Sequence, residues 1–213
     1  MKLKRAPEYR RLLLRTRPKR YVNLFRTIYE RRCRSIVEIG TWNGVHAEEM
    51  IRTAAAHSDI RSVRYSGFDL FEDLTDEQSS SNSPSAPHLS SGSRAAGANR
   101  RLIRGNTRDT LPRATEILRN ADLVFIDGGH SIETIAADWM AIRDVMGPAT
   151  TVVFDDYYPN AGPELAGLGC HSLIDQLDPG AYAVEVLEPT DEFEQSWGAL
   201  RVRMARVTLV RST

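Results

Sequence analysis

Cysteine is scarce in this sequence: Cys33 and Cys170 are the only two among 213 residues. They are too few for a zinc cluster and too widely separated for the dense framework of a small secreted domain. No apolar run approaches the ~18 residues that span a bilayer. Near the start the longest apolar stretch, Leu12–Leu14, is too short for the core of a secretory signal, so a cytoplasmic globular protein is expected. Apolar residues at 41% and charged residues at 26% fit that class, and the length suffices for one domain with a full core. Net charge is missing too, since 28 Lys and Arg balance 28 Asp and Glu. The balance conceals an asymmetry. Residues 1–35 hold 13 Lys and Arg against two acids, Glu8 and Glu30, and the remaining acids lie in the rest of the chain. Such a segment can contact nucleic acid or an anionic surface. The plainer expectation is a basic helical arm over residues 1–33 that docks on an acidic body, with no nucleic-acid partner.

From residue 34 to 213 a single domain is expected. Short apolar runs alternate there with longer mixed segments. Ser35–Ile39, Val63–Phe68, Arg101–Ile103, Leu123–Ile126 and Thr151–Phe154 read as strands; Val45–Ala56, Leu111–Leu118 and Ile132–Val145 read as the helices between them. Strands rich in Val, Ile and Phe, separated by helices, indicate a parallel sheet buried on both faces. The order implies an open, doubly wound α/β sheet of the Rossmann-like kind. The end departs from this rhythm. After a helix over Glu164–Leu177, two further strands, Ala181–Leu187 and Leu200–Val210, follow each other. The link Glu188–Gly198 is too short for a helical crossover, so they should pair antiparallel and bring the sheet to seven strands. Gln78–Ser93, with eight serines and two prolines, reads either as a surface insertion or as a lid over a ligand.

Ligands of open α/β sheets bind at the carboxyl ends of the strands, and the polar residues of this sequence collect there. Glu38-Ile39-Gly40-Thr41-Trp42-Asn43-Gly44 closes the first strand and opens the first helix. Its glycines allow a sharp turn and close approach to a ligand. It is not the dinucleotide fingerprint, because Trp42 and Val45 stand where glycine would be needed. An acid before the first glycine repels a pyrophosphate but welcomes a cationic amine or a sulfonium, both of which S-adenosylmethionine carries. Asp69, ending the second strand, can accept hydrogen bonds from ribose hydroxyls. Asn106 and Thr107, after the third, can either contact an adenine or cap the next helix. Asp127 ends the fourth strand; Asp155 and Asp156 end the fifth. Three carboxylates at adjacent strand ends repel unless a cation joins them, and an all-oxygen set favours Mg²⁺, Mn²⁺ or Ca²⁺. The alternative is two turn aspartates and one cofactor contact. His130, three residues beyond Asp127, is placed to act as a general base.

Val37–Gly44, Phe68–Phe71, Val124–His130 and Val153–Tyr157 together resemble the class I S-adenosylmethionine-dependent methyltransferases. Within that class they are most similar to the macrocin-type sugar and small-molecule O-methyltransferases, and more distantly to catechol O-methyltransferase. The resemblance covers about residues 34–210 and includes the terminal antiparallel hairpin. It implies cofactor contacts from Glu38, Gly40, Thr41, Trp42, Gly44, Asp69, Asn106, Thr107 and Asp127. It also implies a divalent metal on Asp127, Asp155 and Asp156, His130 as base, and a small-molecule hydroxyl as acceptor. Two alternatives stand beside it: a metal-independent methyltransferase, and a binding module whose basic arm contacts RNA or anionic lipid.

Overall fold

The structure is a computed structural model that describes residues 6–71 and 97–210. The serine-rich stretch 78–93 lies outside the described residues. Seven strands form one sheet: β1 (Ser35–Ile39), β2 (Arg64–Asp69), β3 (Asn99–Arg104), β4 (Leu123–Ile126), β5 (Thr151–Tyr157), β6 (Tyr182–Gln195) and β7 (Gly198–Leu209), in the order β3-β2-β1-β4-β5-β7-β6. The first five pair in parallel, while β7 runs antiparallel between β5 and β6. This is the expected doubly wound sheet with its terminal hairpin. The strand order reverses between β1 and β4, and that switch point opens the crevice in which the polar strand ends meet.

Alternation along the central strands divides the core in two. Ile36, Phe125 and Val153 face one side of the sheet, against α2 (Tyr21–Glu30) and α3 (Val45–His57). Val37, Ile39, Val124, Ile126, Val152 and Phe154 face the other, against α6 (Ile132–Arg143). All residues of β1 and β4 are buried, as a sheet covered on both faces requires. The basic segment is helical, with α1 (Ala6–Arg15) followed by α2. α2 is packed into the body: Leu24, Phe25 and Ile28 have no exposed surface. No helix among the described residues is long and apolar enough to cross a membrane.

Three expectations need correction. The helix over Leu111–Leu118 is instead two short ones, α4 (Thr107–Thr110) and α5 (Thr115–Arg119). A helix begun at Thr107 would hold Pro112 in its interior, where it has no N–H to give and clashes with the preceding turn. The helix over Glu164–Leu177 is reduced to a 3-10 turn at Pro163–Leu165 and α7 (His171–Ile174). Gly167 and Gly169 lie between them in left-handed conformations, which a continuous helix cannot contain. The link Glu188–Gly198 is mostly strand, with β6 and β7 joined at Ser196-Trp197. Cross-strand ion pairs hold this extension: Glu192 with Arg201 at 2.9 Å, and Glu188 with Arg203. Charge pairing leaves no mark on a hydrophobic pattern.

The helix after β4 starts from a cap. Ser131 Oγ accepts the Thr134 N–H at 3.2 Å. Ser131→Ala should lower stability by ~1 kcal/mol, read as a shift of the urea midpoint at unchanged slope; an unmoved midpoint would remove the cap's role.

Candidate active site

The turn after β1 is built by contact between strand ends. Gly40 has φ +92, and a Cβ there would overlap the Asp127 carbonyl. The Asp127 N–H donates to the Ile39 carbonyl at 2.8 Å, so β1 and β4 leave no room for a side chain at residue 40. Asp69 ties the turn to β2: its carboxylate accepts the Trp42 N–H at 2.6 Å and the Phe71 N–H at 3.0 Å. Trp42 itself is 73% exposed at the rim.

Glu38, expected to face a ligand amine, lies behind this turn. It is 1% exposed, does not line the cavity, and accepts the hydroxyl of Tyr65. Tyr65 also meets Thr41 Oγ1 at 3.3 Å. Burial pushes the Glu38 carboxyl up to about 8, against the Tyr65 hydrogen bond that favours the anion. Glu38 therefore supports the turn from below.

In front of the turn is a cavity of about 830 Å³. Gly40, Thr41, Trp42 and Asp69 form one wall, Gly105, Asn106 and Thr107 another, and Asp127 and His130 a third. The expected cofactor residues other than Glu38 and Gly44 thus surround one space. Asn106 also caps α4, accepting the Arg108 N–H at 3.0 Å, which is the capping alternative expected for it.

Asp138, on α6, belongs to none of the strand-end motifs. It lines the same cavity, is 1% exposed, and neither of its oxygens has a hydrogen-bond partner among the described residues. Burial pushes its carboxyl up to about 6, and the Thr107 hydroxyl and Arg108 nearby offset part of the rise. A signal existed: Ile135, Asp138, Trp139 and Ile142 share the buried stripe of the helix, and a charge within an apolar stripe needs a reason.

The acidic strand ends converge as expected, but they meet side chains of the N-terminal segment. Arg20 grips Asp155 with both arms, Nε to Oδ1 at 2.6 Å and Nη2 to Oδ2 at 2.8 Å. The Tyr21 hydroxyl stands 2.8 Å from Asp127 Oδ2 and 3.0 Å from Asp155 Oδ2, and its ring stacks on His46 at 4.0 Å. Burial and the neighbouring Asp155 hold the Asp127 carboxyl well above the usual carboxylate range. Asp156, at φ +57, turns the other way, and its Oδ2 lies 2.5 Å from His130 Nδ1. That hydrogen bond raises the His130 pKa, against partial desolvation. The residues do not fit the divalent ion expected on Asp127, Asp155 and Asp156. Both Asp155 oxygens are committed to Arg20, and among the described residues no group of three acidic, histidine or cysteine side chains is arranged to hold a metal. Nothing in the spacing singles Arg20 out from the other bases around it.

Comparison with known proteins places this geometry. Residues 37–157 match the sequence model of a methyltransferase domain. A search of curated proteins finds no match. Among solved structures, the chain is similar to an O-methyltransferase from Bacillus cereus in complex with SAH, at 16% identity and TM-score 0.60, over 96% of this chain and 90% of that one. It is similar to TomG from Streptomyces achromogenes, an O-methyltransferase of tomaymycin synthesis in complex with SAM, at 19% identity and TM-score 0.55, over 96% and 88%. It is also similar to MycE, a methyltransferase of the mycinamycin pathway in complex with Mg and SAH, at 16% identity and TM-score 0.56, over 97% of this chain and 54% of that one. With the family model spanning more than half of the chain, from β1 through β5, the protein belongs to the methyltransferase-domain family and has the class I fold.

Proposed function

We propose that the protein transfers a methyl group from S-adenosylmethionine to a hydroxyl of a small molecule. One observation carries this reading: the glycine turn with Asp69 and His130, whose ring Asp156 holds, open into the same cavity. Its volume falls within the ~300–1,000 Å³ of small-molecule sites. The O-methyltransferase neighbours support the choice of oxygen as nucleophile.

The sulfonium supplies an electrophilic methyl group, so the protein's task is alignment and proton removal. Asp69, fixed by two backbone N–H groups, presents its remaining lone pairs to the ribose hydroxyls. Thr41 and Gly40 bound the methionine end. His130, with Nδ1 held by Asp156, keeps Nε2 for the acceptor. The acceptor oxygen forms its bond to the methyl carbon as the sulfur–carbon bond breaks, and the hydroxyl proton passes to Nε2. S-adenosylhomocysteine should bind in the micromolar range, ~8 kcal/mol by calorimetry. A protein that bound NAD in its place would end the assignment.

Asp138 refines the cofactor subsite. Beside Thr107 it needs a donor, and the exocyclic amine of adenine is one. Asp138→Ala should weaken S-adenosylhomocysteine by ~10–100-fold, the worth of a hydrogen bond to a charged group. Equal affinity of variant and wild type would take Asp138 out of the cofactor site.

A further inference from the structure

The aspartates at the ends of β4 and β5 need a positive charge, and the chain supplies one from Arg20. The Arg20 side chain is 9% exposed and that of Asp155 is 2%, so the pair is sequestered from water. Its planar fork matches the carboxylate on both oxygens, which a point charge cannot do. Arg20 is also secured from behind. The N–H groups of Lys19 and Arg20 each donate to Asp191 of β6 at 2.8 Å, and Arg20 Nη1 lies 3.4 Å from Asp191 Oδ2. Releasing Asp155 would require the start of α2 to leave two carboxylates at once. Tyr21, next in sequence, occupies the gap between Asp127 and Asp155 with its hydroxyl.

Mg²⁺ demands near-octahedral oxygen coordination and dehydrates reluctantly. Neither condition is met where guanidinium nitrogens already hold both Asp155 oxygens and a phenol bridges to Asp127. Asp156 is left to orient His130.

We propose that Arg20 is the resident cation of this site: it excludes a divalent ion from Asp127, Asp155 and Asp156 and holds Asp155 against the hydroxyl of Tyr21, which lines the cavity together with Asp127. The inference is independent of the cofactor and of the acceptor, because its readout is metal occupancy.

The test is a titration with Mn²⁺, following free Mn²⁺ by electron paramagnetic resonance and folding by circular dichroism. Wild-type protein should bind no stoichiometric Mn²⁺. Arg20→Ala, with both Asp155 oxygens freed beside Asp127, should acquire one bound Mn²⁺ per chain, and Mn²⁺ should then raise its Tm but not that of the wild type. Asp155→Asn added to Arg20→Ala should abolish the acquired site. Since Arg20→Ala strands a buried carboxylate and can fail to fold, Arg20→Gln serves as a second variant. It keeps a donor for Asp155, and the same gain is expected. One equivalent of Mn²⁺ on the wild type, lost in Asp155→Asn, would overturn the proposal. So would a folded Arg20 variant that gains no metal.

Discussion

Replacing His130 with alanine is expected to lower kcat by ~10²–10⁴-fold, the usual worth of a general base, with affinity for S-adenosylhomocysteine nearly unchanged. The expectation rests on geometry. His130 stands at the cavity wall, with its side chain 69% exposed toward incoming substrate, and its Nδ1 is paired with Asp156. Asp156 adopts a left-handed backbone unusual for a residue with a side chain, and that conformation delivers the carboxylate to the ring. Methyl transfer to a panel of sugars and phenols, with calorimetry on the same samples, separates a lost base from a lost cofactor site. An unaltered rate would assign the proton to another group.

The pH profile follows from the same pair. The hydrogen bond to Asp156 raises the His130 pKa above its ordinary 6.5, and the base must be neutral to act. The rate should therefore climb with pH through a limb displaced upward from that value. Asp156→Asn removes the charge, so the limb should move to lower pH while the rate on its plateau falls through lost orientation. Stability has the opposite sign. A raised folded-state pKa favours the native state below the unfolded pKa, and the advantage is lost as pH rises through the folded value.

Much of this architecture was legible because parallel strands buried on both faces leave continuous apolar runs. Ile36, Val37 and Ile39, or Leu123–Ile126, hardly read otherwise, and the acids placed directly after such runs belong at the strand ends. The same rule bears on Glu38. A residue inside a run with no exposed face must itself be buried, so its carboxylate needs a partner within the protein, and Tyr65 of the neighbouring strand is that partner. Arg20 and Tyr21 were not legible. Their roles depend on the docking of α2, fixed by Leu24, Phe25 and Ile28 packing in a core that other strands and helices complete. Near Pro112 and Gly167 the apolar spacing predicts longer helices than form, because spacing carries no mark of the residues that interrupt it.

The close approach of β1 and β4 makes Gly40 the position where a single methyl group should do most harm to the fold. Two independent obstacles stand there. The backbone at φ +92 lies in a region that L side chains rarely adopt, and an added Cβ would overlap the Asp127 carbonyl and the Gly128 Cα, both backbone atoms that cannot rotate away. Relief requires the strand ends to part, which breaks the hydrogen bond from the Asp127 N–H to Ile39 and shifts Asp127 at the cavity wall. Gly40→Ala is expected to cost on the order of 4 kcal/mol or more, beyond the ordinary range of single substitutions. It should also abolish calorimetric binding of S-adenosylhomocysteine under conditions where the variant remains folded. Gly147→Ala is the control: a Cβ there would find its nearest neighbour, Thr150 Oγ1, at 3.9 Å, an ordinary contact. If urea unfolding gave the two variants the same midpoint, residue 40 would have room to spare, and the junction of β1 and β4 would not be what shapes the site.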